Sequence, residues 1–242
     1  MNEKADRAKA KVAAKLAAQR AAERRRRTLL VSAVALVVLL VAAGIGVAVY
    51  RNSKPETVVL PQGATRAGVT VGHSSAPVKV DVYFDLQCPI CKQFETQSGS
   101  TLENYVEKGT ARVVYHPVAF LDRMSSGTQY STRSSAASGC AADAGKLPEF
   151  IATLYANQPE EGGTGLTNAK MISLATSVGI TGNTFTQCVD NQTYRGWTNT
   201  VTDSASKDGV VGTPTVKVDG KTLSNPTTAA LTAAITAATG TR

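Results

Sequence analysis

The sequence contains few of the residues that build metal sites and disulfide-rich scaffolds. Its 242 residues include four cysteines, two histidines, three methionines and one tryptophan. A cysteine content this low excludes a small scaffold held together by disulfides, and 20 glycines and nine prolines exclude a collagen-like chain. No repeat of fixed period is visible. With 43% hydrophobic residues, the composition is that of a globular chain, long enough for one domain and additional segments.

Charge of one sign is in excess only at the N-terminus. The formal net charge is +8, but residues 1–27 hold ten basic and three acidic residues, which leaves 16 basic and 15 acidic side chains in residues 28–242. A basic tail without interleaved aromatic residues is not typical of a nucleic-acid-binding domain. We therefore expect no nucleic-acid partner and assign residues 1–27 to a basic cytoplasmic tail.

A long uncharged segment, residues 28–50, follows this tail directly. It is rich in Leu, Val and Ala and is long enough to cross a hydrocarbon layer of about 30 Å as one helix. Because Lys and Arg resist translocation, the arginines at 24–27 predict a cytoplasmic N-terminus. A cleaved signal peptide is the alternative, although its apolar region usually spans only about 7–15 residues. We expect an uncleaved, single-pass anchor in the cell membrane.

The rest of the chain divides into a linker, residues 51–76, and a domain, residues 77–242. The linker is rich in Pro, Gly and Ser. The domain opens with alternating apolar residues from Val78 to Phe84, which predict a strand. Helical spacing after this strand predicts a long helix that is kinked or broken near Gly99.

Helical periodicity dominates the middle of the domain. After a second predicted strand at 111–115, apolar spacing typical of helices extends over about 123–208. Strand patterns return at 215–218 and 221–223, and a closing helix follows. This order predicts an α/β domain with an all-helical insertion.

Two of the four cysteines lie three positions apart where a strand pattern gives way to a helix. Cys88 and Cys91 enclose Pro89 and Ile90, and Pro89 suits a first helical turn. The free N–H groups of that turn would stabilise a thiolate at Cys88. A lowered thiol pKa makes Cys88 a better leaving group. The spacing therefore favours a redox-active pair, and a purely structural Cys88–Cys91 disulfide is the alternative.

The sequence lacks the residues that a zinc site or a haem site at Cys88 and Cys91 would need. Zinc would need two more ligands, but there is no second CxxC, and His73 and His116 do not form a ligand motif. A c-type haem site would need His after the second cysteine, where this chain has Lys92. We expect neither a metal nor an organic cofactor.

The remaining cysteines, Cys140 and Cys188, are 48 positions apart in the helical block. Closing a loop of this length restricts the unfolded chain by an amount worth about 4 kcal/mol, so a structural disulfide is the favoured interpretation. A second exchange pair remains open.

Three features resemble a known family, the DsbA-like thiol–disulfide oxidoreductases of the thioredoxin-fold superfamily, in particular the membrane-anchored Gram-positive and actinobacterial type. The segment from Val80 to Cys91 resembles the first strand and active-site turn, and Val211 to Gly220 resembles the motif that carries a cis proline. The helical block resembles the family's insertion. The resemblance implies a thioredoxin fold with an all-helical insertion, preceded by a single N-terminal transmembrane helix.

The same resemblance assigns roles to individual residues. It implies that Cys88 is the exposed exchange sulfur and Cys91 the buried resolving partner, and that Thr213 and Pro214 form the backbone platform that faces them. Many members carry a buried acid six positions before the first cysteine. Here that position is Val82, with Asp81 and Asp85 nearby, which leaves a carboxylate proton relay open. The Pro89–Ile90 dipeptide has no His, so we expect a milder oxidant than the Pro-His forms.

The predicted function is an extracytoplasmic thiol–disulfide oxidoreductase that introduces disulfide bonds into exported proteins. Its expected partners are reduced, unfolded exported proteins and a membrane reoxidase of the DsbB or vitamin K epoxide reductase type, and we expect a monomer. A disulfide reductase or isomerase is one alternative. A binding or chaperone module on a thioredoxin scaffold, without redox chemistry, is another.

Overall fold

The computed structural model describes residues 3–52 and 58–240. They form two compact units, an N-terminal helix and a C-terminal domain. The helix, α1, spans Glu3–Asn52. Its segment Glu23–Val47 comprises 25 residues and contains an 18-residue window with a mean hydropathy of 2.8, which makes it long and apolar enough to cross a membrane.

The domain is a five-stranded mixed sheet with helices around it, and the predicted α/β domain with an all-helical insertion is confirmed. The sheet order is β1-β3-β2-β4-β5. Strands β2 and β3 are parallel, whereas β1 on β3, β4 on β2, and β5 on β4 are antiparallel. The elements are β1 (Val69–Val71), β2 (Val78–Phe84), α2 (Pro89–Glu107), β3 (Ala111–Pro117), α3 (Tyr130–Asp143), α4 (Leu147–Ala156), α5 (Asn168–Ser177), α6 (Asn183–Asp190), α7 (Arg195–Lys207), β4 (Thr215–Val218), β5 (Lys221–Thr222) and α8 (Thr228–Gly240).

Strand β2 lies at the centre of the sheet and is buried on both faces. Val78, Val80 and Val82 are at most 3% exposed, and Tyr83 on the other face is also buried. β-branched residues pack well on a pleated surface, which explains why this segment forms the central strand. The strand ends at Phe84, so its carboxyl end carries the chain directly into the turn before α2.

Helix α2 continues without a break through Gly99, and the predicted break there is wrong. Ser98 and Gly99 are buried, and the Ser98 hydroxyl is 2.9 Å from the Thr228 hydroxyl of α8. A Cβ atom at Gly99 would lie 2.6 Å from a carboxylate oxygen of Glu95. Packing against α8 therefore outweighs the low helix propensity of Ser and Gly.

The insertion consists of α3 to α7. Cys140 in α3 and Cys188 in α6 form a disulfide with a Cα–Cα distance of 6.0 Å. Trp197 in α7 is fully buried, and its indole N–H donates to the backbone oxygen of Thr65 at 2.8 Å. The segment before β1 is thereby attached to the insertion.

Asp81 in β2 and His116 in β3 form a buried hydrogen-bonded pair. His116 Nε2 lies 3.0 Å from Asp81 Oδ1, and Nδ1 lies 2.6 Å from the backbone oxygen of Ala67. Lys79 Nζ lies 3.0 Å from the other Asp81 oxygen. Burial raises the pKa of Asp81, but hydrogen bonds from His116 and Lys79 outweigh it and hold this pKa below its usual value.

Candidate active site

Cys88 is placed by the junction between β2 and α2. Its backbone is extended (φ −76°, ψ 120°), and α2 begins at the next residue, Pro89. Proline suits this position because its ring fixes the helical φ and its missing N–H would be unpaired in any case. The first-turn N–H groups of Ile90 and Cys91 are therefore available to Cys88.

Cys88 and Cys91 are both free thiols in this structure. Cys91 is 1% exposed and Cys88 is 7% exposed, so Cys88 offers only a small accessible surface, less than the expected exposed sulfur. The Cys88 thiol donates to the backbone oxygen of Thr213 at 3.4 Å. The Thr213–Pro214 peptide bond is cis. The structure thus brings together the two motifs that lie about 125 residues apart in the sequence.

The two thiols have opposite acid–base properties. A hydrogen bond from the Cys91 thiol favours the Cys88 thiolate most, burial opposes it, and interactions with Thr213 and the N–H groups of Cys91 and Ile90 add to the stabilisation. Together they lower the pKa of Cys88 to about 6. Burial, followed by the neighbouring Cys88 sulfur, raises the pKa of Cys91 far above its usual value. At neutral pH the negative charge therefore lies on Cys88.

An open cleft of about 450 Å³ surrounds the accessible side of Cys88. Its lining is mainly apolar, and two of its residues project into solvent, Ile90 at 55% and Val211 at 97% exposure. Exposed apolar side chains at the mouth of a cleft are typical of a surface that binds another chain. The lining residues are Cys88, Pro89, Ile90, Phe120, Leu121, Glu161, Val211, Gly212 and Thr213.

A buried carboxyl group, that of Asp85, lies beneath the turn. Asp85 is fully buried, and its side-chain oxygens accept hydrogen bonds from the backbone N–H of Gln87 (2.9 Å), the backbone N–H of Leu121 (2.9 Å) and the hydroxyl of Ser131 (2.7 Å). Burial raises the pKa of Asp85 to about 6, although these donors oppose the increase.

The insertion also contacts the backbone of the turn. Tyr155 at the end of α4 donates its hydroxyl to the backbone oxygen of Asp85 at 3.1 Å. Gln158, in the loop that follows, donates its amide to the backbone oxygens of Leu86 and Cys88, both at 3.0 Å. These carbonyl groups lie before the helix, and that of Cys88 also accepts from the backbone N–H of Lys92 in α2 at 3.2 Å. The helical insertion therefore helps to hold the turn that presents Cys88.

Sequence reasoning did not single out Asp85, Ser131 or Gln158 as site residues. Val82, at the position where many family members have an acid, is 3% exposed in the apolar core, and Asp81 is engaged by Lys79 and His116. The position of Asp85, three residues before Cys88, could have been used to predict that it lies in the site. Ser131 and Gln158 gave no such signal, because only the folded insertion brings them to the turn.

The described residues include no group of three or more His, Cys, Asp or Glu side chains that could hold a metal ion. What the site contains is a dithiol with one stabilised thiolate, a cis-proline loop facing it and an apolar cleft. This arrangement, on a mixed sheet with a helical insertion, defines a thioredoxin-type dithiol domain.

Comparison with known proteins identifies the family. Residues 64–237 match the family model described as thioredoxin. The reduced form of the disulfide bond oxidoreductase DsbG from Mycobacterium tuberculosis is 32% identical, with a TM-score of 0.64 over 74% of this chain and 90% of that structure. Reduced DsbA from the same organism is 31% identical, with a TM-score of 0.63 over 72% of this chain and 93% of that structure. The chain belongs to the thioredoxin family, among the DsbA-like thiol–disulfide oxidoreductases, and the predicted fold class is confirmed.

One relative is named as a protein kinase, and the match covers only part of it. The serine/threonine-protein kinase PknE from Mycobacterium tuberculosis is 33% identical over 146 residues, which cover 58% of this chain and 26% of that protein. The chain thus spans about a quarter of the length of the curated relatives that it matches.

Proposed function

We propose that this chain is a membrane-anchored, extracytoplasmic thiol–disulfide oxidoreductase that introduces disulfide bonds into exported proteins through Cys88 and Cys91. The observation that carries the proposal is the difference between the two thiols. Cys88, with its pKa lowered to about 6, faces the cleft, whereas Cys91 is buried and its pKa is raised. A stabilised thiolate favours the dithiol over the disulfide and makes the oxidised pair an oxidant.

The exchange takes place in two steps, beginning from a Cys88–Cys91 disulfide. A client thiolate attacks Cys88 Sγ, a client–Cys88 bond forms, and the Cys88–Cys91 bond breaks. The electron pair of that bond goes to Cys91, which takes up a proton. A second client thiolate then attacks the client sulfur and releases Cys88 as a thiolate. The client loses two electrons and gains a disulfide, and the protein is left as the dithiol of this structure.

The cleft supports recognition of unfolded clients. Ile90 and Val211 beside Cys88 are exposed apolar side chains that would contact apolar segments of an unfolded chain. The backbone at Thr213–Pro214 has no proline N–H, so it offers the carbonyl oxygen of Thr213 to a client strand or to the sulfur. Recognition by backbone and apolar contacts does not require one particular client sequence.

The N-terminal helix supports a location at the membrane. Its segment Glu23–Val47 is apolar enough to span a bilayer, and arginines 24–27 near its start favour a cytoplasmic N-terminus. The domain would then lie outside the cytoplasm, where disulfides form and persist. The dithiol would be reoxidised there by a membrane reoxidase of the DsbB or vitamin K epoxide reductase type.

A trapping experiment tests the roles of the two cysteines. We expect Cys91→Ala to accumulate mixed disulfides with exported proteins in cells, because Cys91 can no longer displace the client from Cys88. Cys88→Ala should form none, and it should lose at least about 100-fold of the rate at which the oxidised protein refolds reduced ribonuclease. Cys188→Ala provides a control that leaves both active-site residues in place. Full refolding activity of Cys88→Ala would reject the redox function and favour a binding module.

The reduction potential decides the direction of electron flow. Since Ile90 stands where the strongest oxidants have His, we expect a value between about −120 mV, typical of those oxidants, and about −180 mV, typical of protein disulfide isomerase. Equilibration with glutathione buffers, followed by alkylation and mass spectrometry, measures it. A value close to −270 mV, as in thioredoxin, would indicate a reductase.

A further inference from the structure

A cavity of about 420 Å³ lies at the end of α2 that is remote from Cys88. Its walls come from the last turns of α2, the beginning of α4 and the strands β1 and β3. At a rise of about 1.5 Å per residue, these last turns lie about 20 Å along the helix from the active-site turn. The cavity has the size of a small-molecule site and is separate from the exchange cleft.

Three acidic side chains, Glu103, Glu107 and Glu149, line this cavity. Glu103 and Glu107 are four positions apart at the C-terminal end of α2, where like charges repel each other and the helix dipole disfavours negative charge. Burial, followed by the charges of Glu149 and Glu107, raises the pKa of Glu103. Lys146 pairs with one oxygen of Glu149 at 2.9 Å. The cluster lowers the stability of the fold by itself, and a bound cation would offset this loss.

A buried hydroxyl group in the same cavity indicates a ligand independently of the charges. Tyr115 in β3 is 4% exposed, and its side chain lines the cavity. Within the part of the chain that the structure describes, no group forms a hydrogen bond with this hydroxyl. Burial, followed by the charges of Glu95, Glu103 and Glu149, raises the pKa of Tyr115 far above neutrality. A buried hydroxyl without a partner is costly, and a donor bound in the cavity would satisfy its oxygen.

The arrangement of the acceptors favours an ammonium group. Glu103, Glu149 and Tyr115 come from three different elements, and an ammonium group has three N–H donors on one nitrogen, whereas a guanidinium group presents its donors in one plane. Val106 and Pro148 in the lining are apolar and would contact a hydrocarbon stem. The described residues contain no group of three or more His, Cys, Asp or Glu side chains that could hold a metal ion.

We propose that this cavity is a binding site for a primary ammonium group on an unbranched apolar stem, held by Glu103, Glu149 and the Tyr115 hydroxyl. The ammonium group donates to the two carboxylates and to the phenol oxygen, and the stem lies against Val106 and Pro148. Two sources supply this chemistry, a free aliphatic amine and a lysine side chain of another protein. The site does not depend on the redox chemistry of the active-site thiols.

Calorimetric titration of the full chain in a non-ionic detergent with pentylamine tests the proposal. We expect saturable binding with one site per chain. Pentanol has the same stem without the charge and should bind at least about tenfold more weakly, because it cannot form charge-assisted hydrogen bonds with the carboxylates. Absence of saturable pentylamine binding up to about 10 mM, or its displacement by magnesium chloride at equal concentration, would overturn the proposal.

A second probe distinguishes the two sources. N-acetyl-lysine methylamide carries the same ammonium group and stem on a peptide unit. If it binds more tightly than pentylamine, the ligand is a lysine side chain of a partner protein. If it binds more weakly, the ligand is a free amine. Both results support the ammonium site.

Variants of the acceptors assign the binding to this cavity. Glu103→Gln and Tyr115→Phe should each weaken pentylamine binding at least about fivefold, because each removes one acceptor of the ammonium group. Glu160→Gln is the matched control, since Glu160 is exposed and lies beside the active-site end of α2. Its affinity should stay within about twofold of the wild type. Equal weakening in all three variants would indicate non-specific attraction to negative charge and overturn the proposal.

Stability measurements separate a binding role from a structural one. Glu107→Gln removes a like charge from the end of α2, so the midpoint of thermal unfolding without ligand should rise by about 1–2 °C, while the affinity for pentylamine falls. Lower stability with unchanged affinity in Glu103→Gln and Tyr115→Phe would show that these residues are merely structural and overturn the proposal. Cys88→Ala should bind pentylamine as the wild type does, so failure of the proposed redox function would leave this result intact.

Discussion

The two cysteine pairs of this domain differ in the local structure that holds them. Cys88 and Cys91 lie at the start of a helix, where the first-turn N–H groups face the Cys88 sulfur. Cys140 and Cys188 lie within two separate helices and close a loop of 48 residues. The first pair is placed to stabilise a thiolate, and the second to restrict the unfolded chain. The same side chain therefore serves reactivity at one place and stability at the other.

The largest effect should come from removing the second pair. The double variant Cys140→Ala/Cys188→Ala should lose about 4 kcal/mol of the free energy of unfolding, because the loop of 48 residues is no longer closed in the unfolded state. Urea denaturation, monitored by circular dichroism, measures this loss. The rate of alkylation of Cys88 at neutral pH should remain within a factor of two of the wild type. A tenfold change in that rate would show that the two pairs are not independent.

At the first pair, Cys88 and Cys91, we expect the free energy of unfolding of the reduced protein to depend on pH. Because the folded state lowers the pKa of Cys88 from its usual value of 9.0 to about 6, the folded dithiol binds fewer protons than the unfolded chain between these values. Its stability therefore rises as the pH increases from 6 to 9 and loses this contribution below pH 6. With allowance for screening by solvent at the cleft, the gain is about 2 kcal/mol at pH 9.

Urea unfolding of the reduced and the oxidised protein at pH 5 and pH 8.5 measures this prediction. The reduced protein should gain stability relative to the oxidised protein at the higher pH. A Cys88→Ser variant, whose hydroxyl does not ionise in this range, should lose the pH dependence. A reduced protein that loses stability relative to the oxidised one between pH 5 and pH 8.5 would contradict the comparison between the two pairs.

A smaller effect should arise where the insertion contacts the turn. Gln158→Leu removes two hydrogen bonds to the backbone oxygens of Leu86 and Cys88 and should lower the free energy of unfolding by about 1–2 kcal/mol. Asn157→Ala is the neighbouring control, since its exposed side chain donates only within the end of α4, and it should cost less than about 0.5 kcal/mol. Equal losses in the two variants would show that Gln158 does not help to hold the active-site turn.

Much of the domain could be predicted because its local patterns agree with its final packing. Alternating valines produced the central strand, and the spacing of Cys88, Pro89 and Cys91 indicated a strand that leads into a helix. The break near Gly99 was wrong because the contact between Ser98 and Thr228 of α8 is invisible in the local sequence.

The part of the site that escaped prediction depends on groups distant in the chain. A carboxyl group three residues before Cys88 has no special property by itself. Its burial and its donors arise only when Leu121 and Ser131 fold over it. The position at which many family members have an acid, Val82, lies in the strand, whereas the buried acid Asp85 lies in the turn.

The hydrogen bond between Trp197 and Thr65 gives the protein a built-in optical reporter. Trp197 is the only tryptophan of the chain, so all indole fluorescence comes from the place where the segment before β1 meets the insertion. Loss of that hydrogen bond would expose the indole to water and move its emission to longer wavelength. One spectrum, recorded without any label, therefore reports whether the segment around Thr65 keeps its contact with the insertion while the thiols exchange.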